Sequence, residues 1–375
     1  MNAQILNIES KRRQNPMMYK SPTDFALSNG GMISAQVIIE NPNISLYCLD
    51  VENQRALFVE THADADLFEA PFYYQAQYEN AIGLFAVSYE TLHQLANDIC
   101  FDSKRLILIY SVGRCGSTLL SSALNQVENL ISFSEPDILN QLVEIRHSYG
   151  DNADVNELLQ SCIKILCKSS KSDSLPLTWS IKVRRLDIEI ADLMFKNFPD
   201  AKAIFLYRDA ETWVKSAFRA FLTPDDLNST GLAKLQTDLE PLVPLIAKYS
   251  AEESKSLSAV EILTLTWLSV MERYFILYQQ NFAMFTVRYR ELITNSQQVL
   301  KEIFEYCGIP TTDFTEVLKV LKKDSQEGTV FSRENVIKKS VKLPENYLSE
   351  MWQILQAHPT IQSPHFIAPN TRCIF

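Results

Sequence analysis

Residues 106–127 read LILIYSVGRCGSTLLSSALNQV. An unbroken apolar run, Leu106–Tyr110, meets the octet SVGRCGST, and an amphipathic stretch follows. Five consecutive apolar residues bounded by turn signals predict a strand buried on both faces, as in a parallel sheet. The two glycines of the octet stand out because the chain has nine in 375 residues, well below the ~7% of average chains. Glycine here permits a sharp turn and close approach of backbone to a ligand. The helix beginning near Ser117 then offers unpaired N–H groups and a partial positive charge. Strand, glycine turn and helix N-terminus together form a phosphate cradle. An ordinary strand-to-helix turn would read much the same, so the neighbouring strands must decide.

Working outward, WSIKV (179–183), KAIFLY (202–207) and MFTVRY (284–289) predict three further strands. They alternate with helices over Ser117–Val127, over DIEIADLMFKNF with Asp187 as its cap, over ETWVKSAFRAF, and over SQQVLKEIFEYCG closed by Gly308. The alternation predicts an α/β fold, a parallel sheet flanked by helices across residues 101–375, with helical insertions at about 138–170 and 222–280. Before it, the turn-punctuated runs MISAQVIIE, ISLYCLD and RALFVET predict a small β-rich N-terminal module over 1–100. Within that module residues 1–20 read as unstructured, 62–84 as irregular, and Ser88 as the cap of a helix over YETLHQLANDI. Ligands of open α/β sheets gather at the carboxyl ends of the strands. At those ends stand SVGRCGST, Lys182 with Arg184 and Arg185, Arg208, and Tyr289 with Arg290.

The formal net charge is −10, which argues against a nucleic-acid partner, since phosphate backbones need a basic footprint. Any anion must be held by those locally gathered cations. No apolar run is long enough to span a membrane, and the polar N-terminus lacks a secretory h-region, so a cytoplasmic location is expected. Seven scattered cysteines without a C-x-x-C pair read as reduced thiols. Five isolated histidines give no ligand spacing, and no metal is expected. Nor does the octet follow G-x-x-x-x-G-K-[ST]: Ser117 comes directly after Gly116, and the cation, Arg114, precedes it. The loop suits a phosphate group rather than a magnesium-bound nucleoside triphosphate, which counts against a small-molecule kinase.

SVGRCGSTLLSSAL resembles the 5′-phosphosulfate loop of sulfotransferases, particularly the bacterial, carbohydrate and tyrosylprotein branches with R-x-G-[ST]-T or a close variant. FPDAKAIFLYRDAETWVKSAF is similar to their 3′-phosphate segment, and Arg208 and Ser216 keep its Arg-to-Ser spacing. FTVRYRELITNSQQVLKEIFEYCGIP resembles the family's R-Y-x-x-L strand and helix, and KDSQEGTVFSRENVI the segment that folds over the cofactor. The blocks run in order across residues 105–340. The resemblance implies a P-loop-like fold and a donor, 3′-phosphoadenosine-5′-phosphosulfate (PAPS), leaving 3′,5′-ADP as product. It implies metal-independent sulfuryl transfer to a hydroxyl or amine of a small-molecule, lipid or glycan acceptor.

Carried onto this chain, the resemblance gives Arg114, Gly116, Ser117 and Thr118 to the phosphosulfate, with Cys115 as a spacer in the same loop. Arg208 and Ser216, with Arg219 as a further candidate, fall to the 3′-phosphate. Tyr289, Ser325 and Gly328 complete the nucleotide contacts. Lys182 and Arg114 match the cations that balance charge during transfer, and Glu135 in FSEPDIL matches a general base, its backbone pinned by Pro136. His147 in LVEIRHSYG lies in a helical pattern and is the weaker base. The alternative reading is a non-catalytic nucleotide-binding or partner-docking protein of the same fold.

Overall fold

The structure, a computed structural model, describes residues 1–13, 20–169, 177–253, 256–310, 314–338 and 341–372. Five antiparallel strands form the first sheet: β1 (Asn2–Lys11), β2 (Phe25–Ser34), β3 (Ile44–Asp50), β4 (Arg55–Thr61) and β5 (Ala81–Ser88), in the order β2-β1-β5-β4-β3. The second sheet is parallel and flanked by helices. It comprises β6 (Leu106–Ser111), β7 (Leu130–Ser134), β8 (Thr178–Lys182), β9 (Lys202–Tyr207) and β10 (Phe285–Arg288), in the order β10-β9-β6-β8-β7. Among the described residues no helix is long and apolar enough to cross a membrane.

Four expectations need correction. The tail expected over 1–20 is a strand through Lys11, while 14–19 lie outside the described residues. Register shifts between Gln4 and Leu6 and between Ile8 and Ser10 break its alternation, so its buried residues Ala3 and Leu6 fall out of a period of two. MISAQVIIE divides between β2 and one helical turn, Val37–Glu40. The stretch read as irregular holds a helix, Tyr73–Glu79, and the start of β5. Asp187 caps no α-helix: its carboxylate accepts the Arg184 N–H within a 3-10 segment, Arg185–Ile190, and the α-helix starts only at Ala191. By contrast, Ser88 accepts from the Thr91 N–H and caps the helix Tyr89–Asn97, and Gly308 closes the helix Ser296–Cys307 with φ 68°.

Contacts group residues 1–108, 127–183 and 190–201 into one compact unit, and 109–126, 184–189 and the chain from 202 onward into another. In the first, Leu6, Phe25, Tyr47, Leu57, Val59 and Leu84 form the core of the antiparallel sheet. The helices Ile138–Tyr149 and Ala153–Leu166 pack on β3. Gln141 holds the first of these helices by bonding both the N–H (2.8 Å) and the C=O (3.2 Å) of Leu49. In the second unit the helix Ala259–Gln279 is buried along most of its length and opens with a Ser258/Glu261 capping box. Its Tyr274 stacks on Phe205 of β9, with ring centroids 4.2 Å apart.

Candidate active site

The loop after β6 carries three left-handed residues in four positions: Gly113 (φ 75°), Arg114 (φ 51°) and Gly116 (φ 83°). Gly116 occupies the N-cap of the helix Ser117–Leu124. The left-handed φ at Gly116 disfavours any side chain, and a Cβ there, 2.8 Å from Leu292 Cδ2, would also require that leucine to shift. Such a turn aims successive N–H groups into a concavity suited to an anion. Its shape is fixed from outside. The indole N–H of Trp213 donates to the carbonyls of Val112 (2.8 Å) and Gly113 (2.9 Å), and the Val112 N–H donates to Leu206 O of β9 (3.2 Å). Ser111 Oγ receives the Gly113 N–H and bonds Ser117 Oγ, both at 3.2 Å.

Arg208, one residue past β9, turns back onto this loop. Its Nη1 donates to Arg114 O (3.2 Å), its Nε to Thr212 Oγ1 (3.0 Å), and its guanidinium lies 4.8 Å from the Tyr289 ring centroid. The Trp267 indole anchors the Arg208 carbonyl (2.9 Å), and Asp209 is clamped by Arg288 (2.6 and 3.0 Å). Arg114 reaches Ser216 Oγ (3.4 Å) and Gln326 Oε1 and lies over the Phe331 ring. Burial, and then the charge of Arg208, lower the Arg114 pKa, while Asp324 opposes them. A guanidinium on a left-handed loop at a helix N-terminus, with a second turned onto that loop, is an arrangement that can receive a multiply charged anion.

In the other unit, β7 and β8 run parallel with Ser134 opposite Lys182. The Glu135 N–H extends this ladder, donating to Lys182 O (2.6 Å), and Lys182 Nζ donates to Glu135 Oε1. Their side chains are 16% and 5% exposed. Held through both its N–H and its side chain, this carboxylate is placed to accept a proton, and the Lys182 Nζ beside it is placed to steady negative charge.

The sulfotransferase family model matches residues 107–313, more than half of the chain. The chain belongs to the sulfotransferase family. No curated protein matches it. Similar solved structures include the sulfotransferase domain from the curacin biosynthetic pathway, 18% identical, covering 67% of this chain and 95% of that one with a TM-score of 0.40. A sulfotransferase from Alicyclobacillus acidocaldarius is 14% identical, with 66% and 90% covered and a TM-score of 0.39. Mouse sulfotransferase SULT7A1, complexed with PAP, is 12% identical, with 68% and 75% covered and a TM-score of 0.31.

Within this sulfotransferase, Arg114, Gly116, Ser117, Arg208, Ser216 and Tyr289 come together in one unit, and Glu135 and Lys182 pair in the other. Thr118 is buried in the helix's first turn. Cys115 is buried, and its thiol donates to Leu206 O (3.4 Å). Arg219 and Arg290 are exposed. Arg185 stacks over Phe221 (5.1 Å) and Trp213 (6.0 Å). Ser325 and Gly328 flank Gln326, which meets Arg114. Trp213 and Gln326 are the residues that sequence reasoning missed. A tryptophan in the helix after Arg208, one of four in the chain, was a usable signal. Gln326 carried none.

Proposed function

We propose that this sulfotransferase moves a sulfuryl group from PAPS to a hydroxyl or amine of a small-molecule, lipid or glycan acceptor, without a metal ion. The observation that carries the reading is the pair of guanidiniums, Arg114 and Arg208, gathered at a turn of left-handed residues that opens a helix. Arg114 and the N–H groups from Gly116 to Thr118 would hold the phosphosulfate. Arg208 with Ser216 would hold the 3′-phosphate, a dianion suited to a guanidinium fork. The bound donor supplies an activated S–O bond to a phosphate leaving group. Glu135 would take the acceptor proton at its carboxylate as the acceptor's oxygen or nitrogen bonds sulfur and the donor's S–O bond to phosphate breaks, and Lys182 would steady the charge left on the departing phosphate oxygen. Such transfer is chiefly positioning and charge stabilisation, and the residues named supply both.

A thermal-shift comparison of 3′,5′-ADP, AMP and ATP, each with and without Mg²⁺, tests the donor. We expect 3′,5′-ADP to raise Tm most, with no response to Mg²⁺, and the shift to vanish in Arg114→Ala and Arg208→Ala. A preference for ATP with Mg²⁺ overturns the reading.

A further inference from the structure

The segment Asp324–Ser332 is knitted into a turn by its own bonds. Asp324 accepts from the N–H groups of Gln326 (3.2 Å) and Arg333 (2.7 Å), and Thr329 Oγ1 donates to Gln326 O (2.8 Å). Phe331, packed edge-on to Phe221 at 5.3 Å, lies 5.9 Å from the Arg114 guanidinium. The turn is thereby anchored where Gln326 Oε1 accepts from Arg114 Nη1. An amide oxygen satisfies that donor's geometry but brings no negative charge. The guanidinium, disfavoured by burial and by Arg208 and favoured by the charge of Asp324, thus meets in Gln326 a partner that fits its shape but is itself neutral. An anion that takes this Nη1–H must displace the amide.

We propose that Gln326 is a built-in competitor, binding Arg114 at the expense of the donor's phosphosulfate, so that the 324–332 turn sets donor affinity. This rests on the reading above that Arg114 grips the donor. Removing the amide then tightens anion binding, and replacing it with a carboxylate creates a charge-assisted bond that blocks binding. A residue that simply contacted the nucleotide would give the opposite sign on removal.

The test uses the full chain as wild type, Gln326→Ala and Gln326→Glu. Calorimetry measures binding of 3′,5′-ADP and, separately, of inorganic pyrophosphate; phenylglyoxal labelling of Arg114, read by peptide mass spectrometry, reports the contact with no anion added. We expect Gln326→Ala to bind 3′,5′-ADP about 3- to 10-fold tighter and to label faster. Gln326→Glu should bind at least about 10-fold weaker, label more slowly and melt at a higher temperature. Weaker binding by Gln326→Ala, or labelling equal in all three proteins, overturns the proposal. If pyrophosphate and labelling follow the expected order while no protein binds 3′,5′-ADP, the nucleotide reading falls and the competition stands. Wild type binding neither anion overturns both.

Discussion

Glu135 has φ 61° and is followed by a proline, a placement that ordinarily drives the preceding residue to extended backbone. A non-glycine residue in this region costs on the order of 1–3 kcal/mol and persists only where its surroundings over-determine it. Here they do so at both ends of the residue, by the N–H bond to Lys182 O and the side-chain bond to Lys182 Nζ. One lysine therefore fixes where the carboxylate sits, from the backbone and from the side chain. The two side chains should act as a unit. Glu135→Gln and Lys182→Ala should each lower the single-turnover transfer rate by about 10²–10⁴. The double variant should lose little more than the worse single one. Losses that multiply would show that the residues work independently and that the pairing is incidental.

The helix Ala210–Phe221 does more than cover the sheet. Trp213 is fully buried and its N–H holds two loop carbonyls, while Ser216, one turn on, meets Arg114. Trp213→Phe keeps the ring and deletes the donor, leaving Val112 O and Gly113 O without that partner. We expect about 1–2 kcal/mol lost in denaturant unfolding, and weaker 3′,5′-ADP binding because the turn is no longer clamped; unchanged affinity would mean that the loop holds its shape alone. Elements of this kind were unevenly legible in sequence. LILIY and KAIFLY announce β6 and β9 because burial on both faces writes a continuous apolar run. LISFS does not announce β7, since Ser132 and Ser134 read as loop residues yet are buried. The strand count of the parallel sheet was therefore one short. The site follows the same logic. Gly113, Gly116, Arg114 and Arg208 could be found from glycine scarcity and strand ends, both local signals. Gln326 meets Arg114 across 212 positions, and no local pattern marks an amide that only the folded chain brings to a guanidinium.

The stability of the molecule should also report on groups that belong to the other unit. Lys168 follows the helix Ala153–Leu166, and its Nζ donates to the carbonyls of Ile38, Asn41 (2.7 Å) and Ile44. Burial lowers its pKa to about 7, against ~10.4 in an unfolded chain. Between those values the unfolded state binds more protons, so this group makes stability rise with pH from about 7 and adds nothing to the slope below it. The gain would reach about 2–3 kcal/mol by pH 9, less to the extent that the three carbonyls favour the ammonium. Buried thiols act in the other direction. Burial raises the pKa of Cys48, Cys162, Cys167 and Cys307; their stabilisation is complete below the unfolded thiol value of ~8.5 and is lost above it. The sum is a stability curve that climbs from neutrality and turns over near pH 8–9. Denaturant unfolding from pH 6.5 to 9.5 should show this climb in wild type. In Lys168→Met only the thiol-driven decline should remain, and identical slopes in the two proteins would mean that Lys168 keeps its proton throughout.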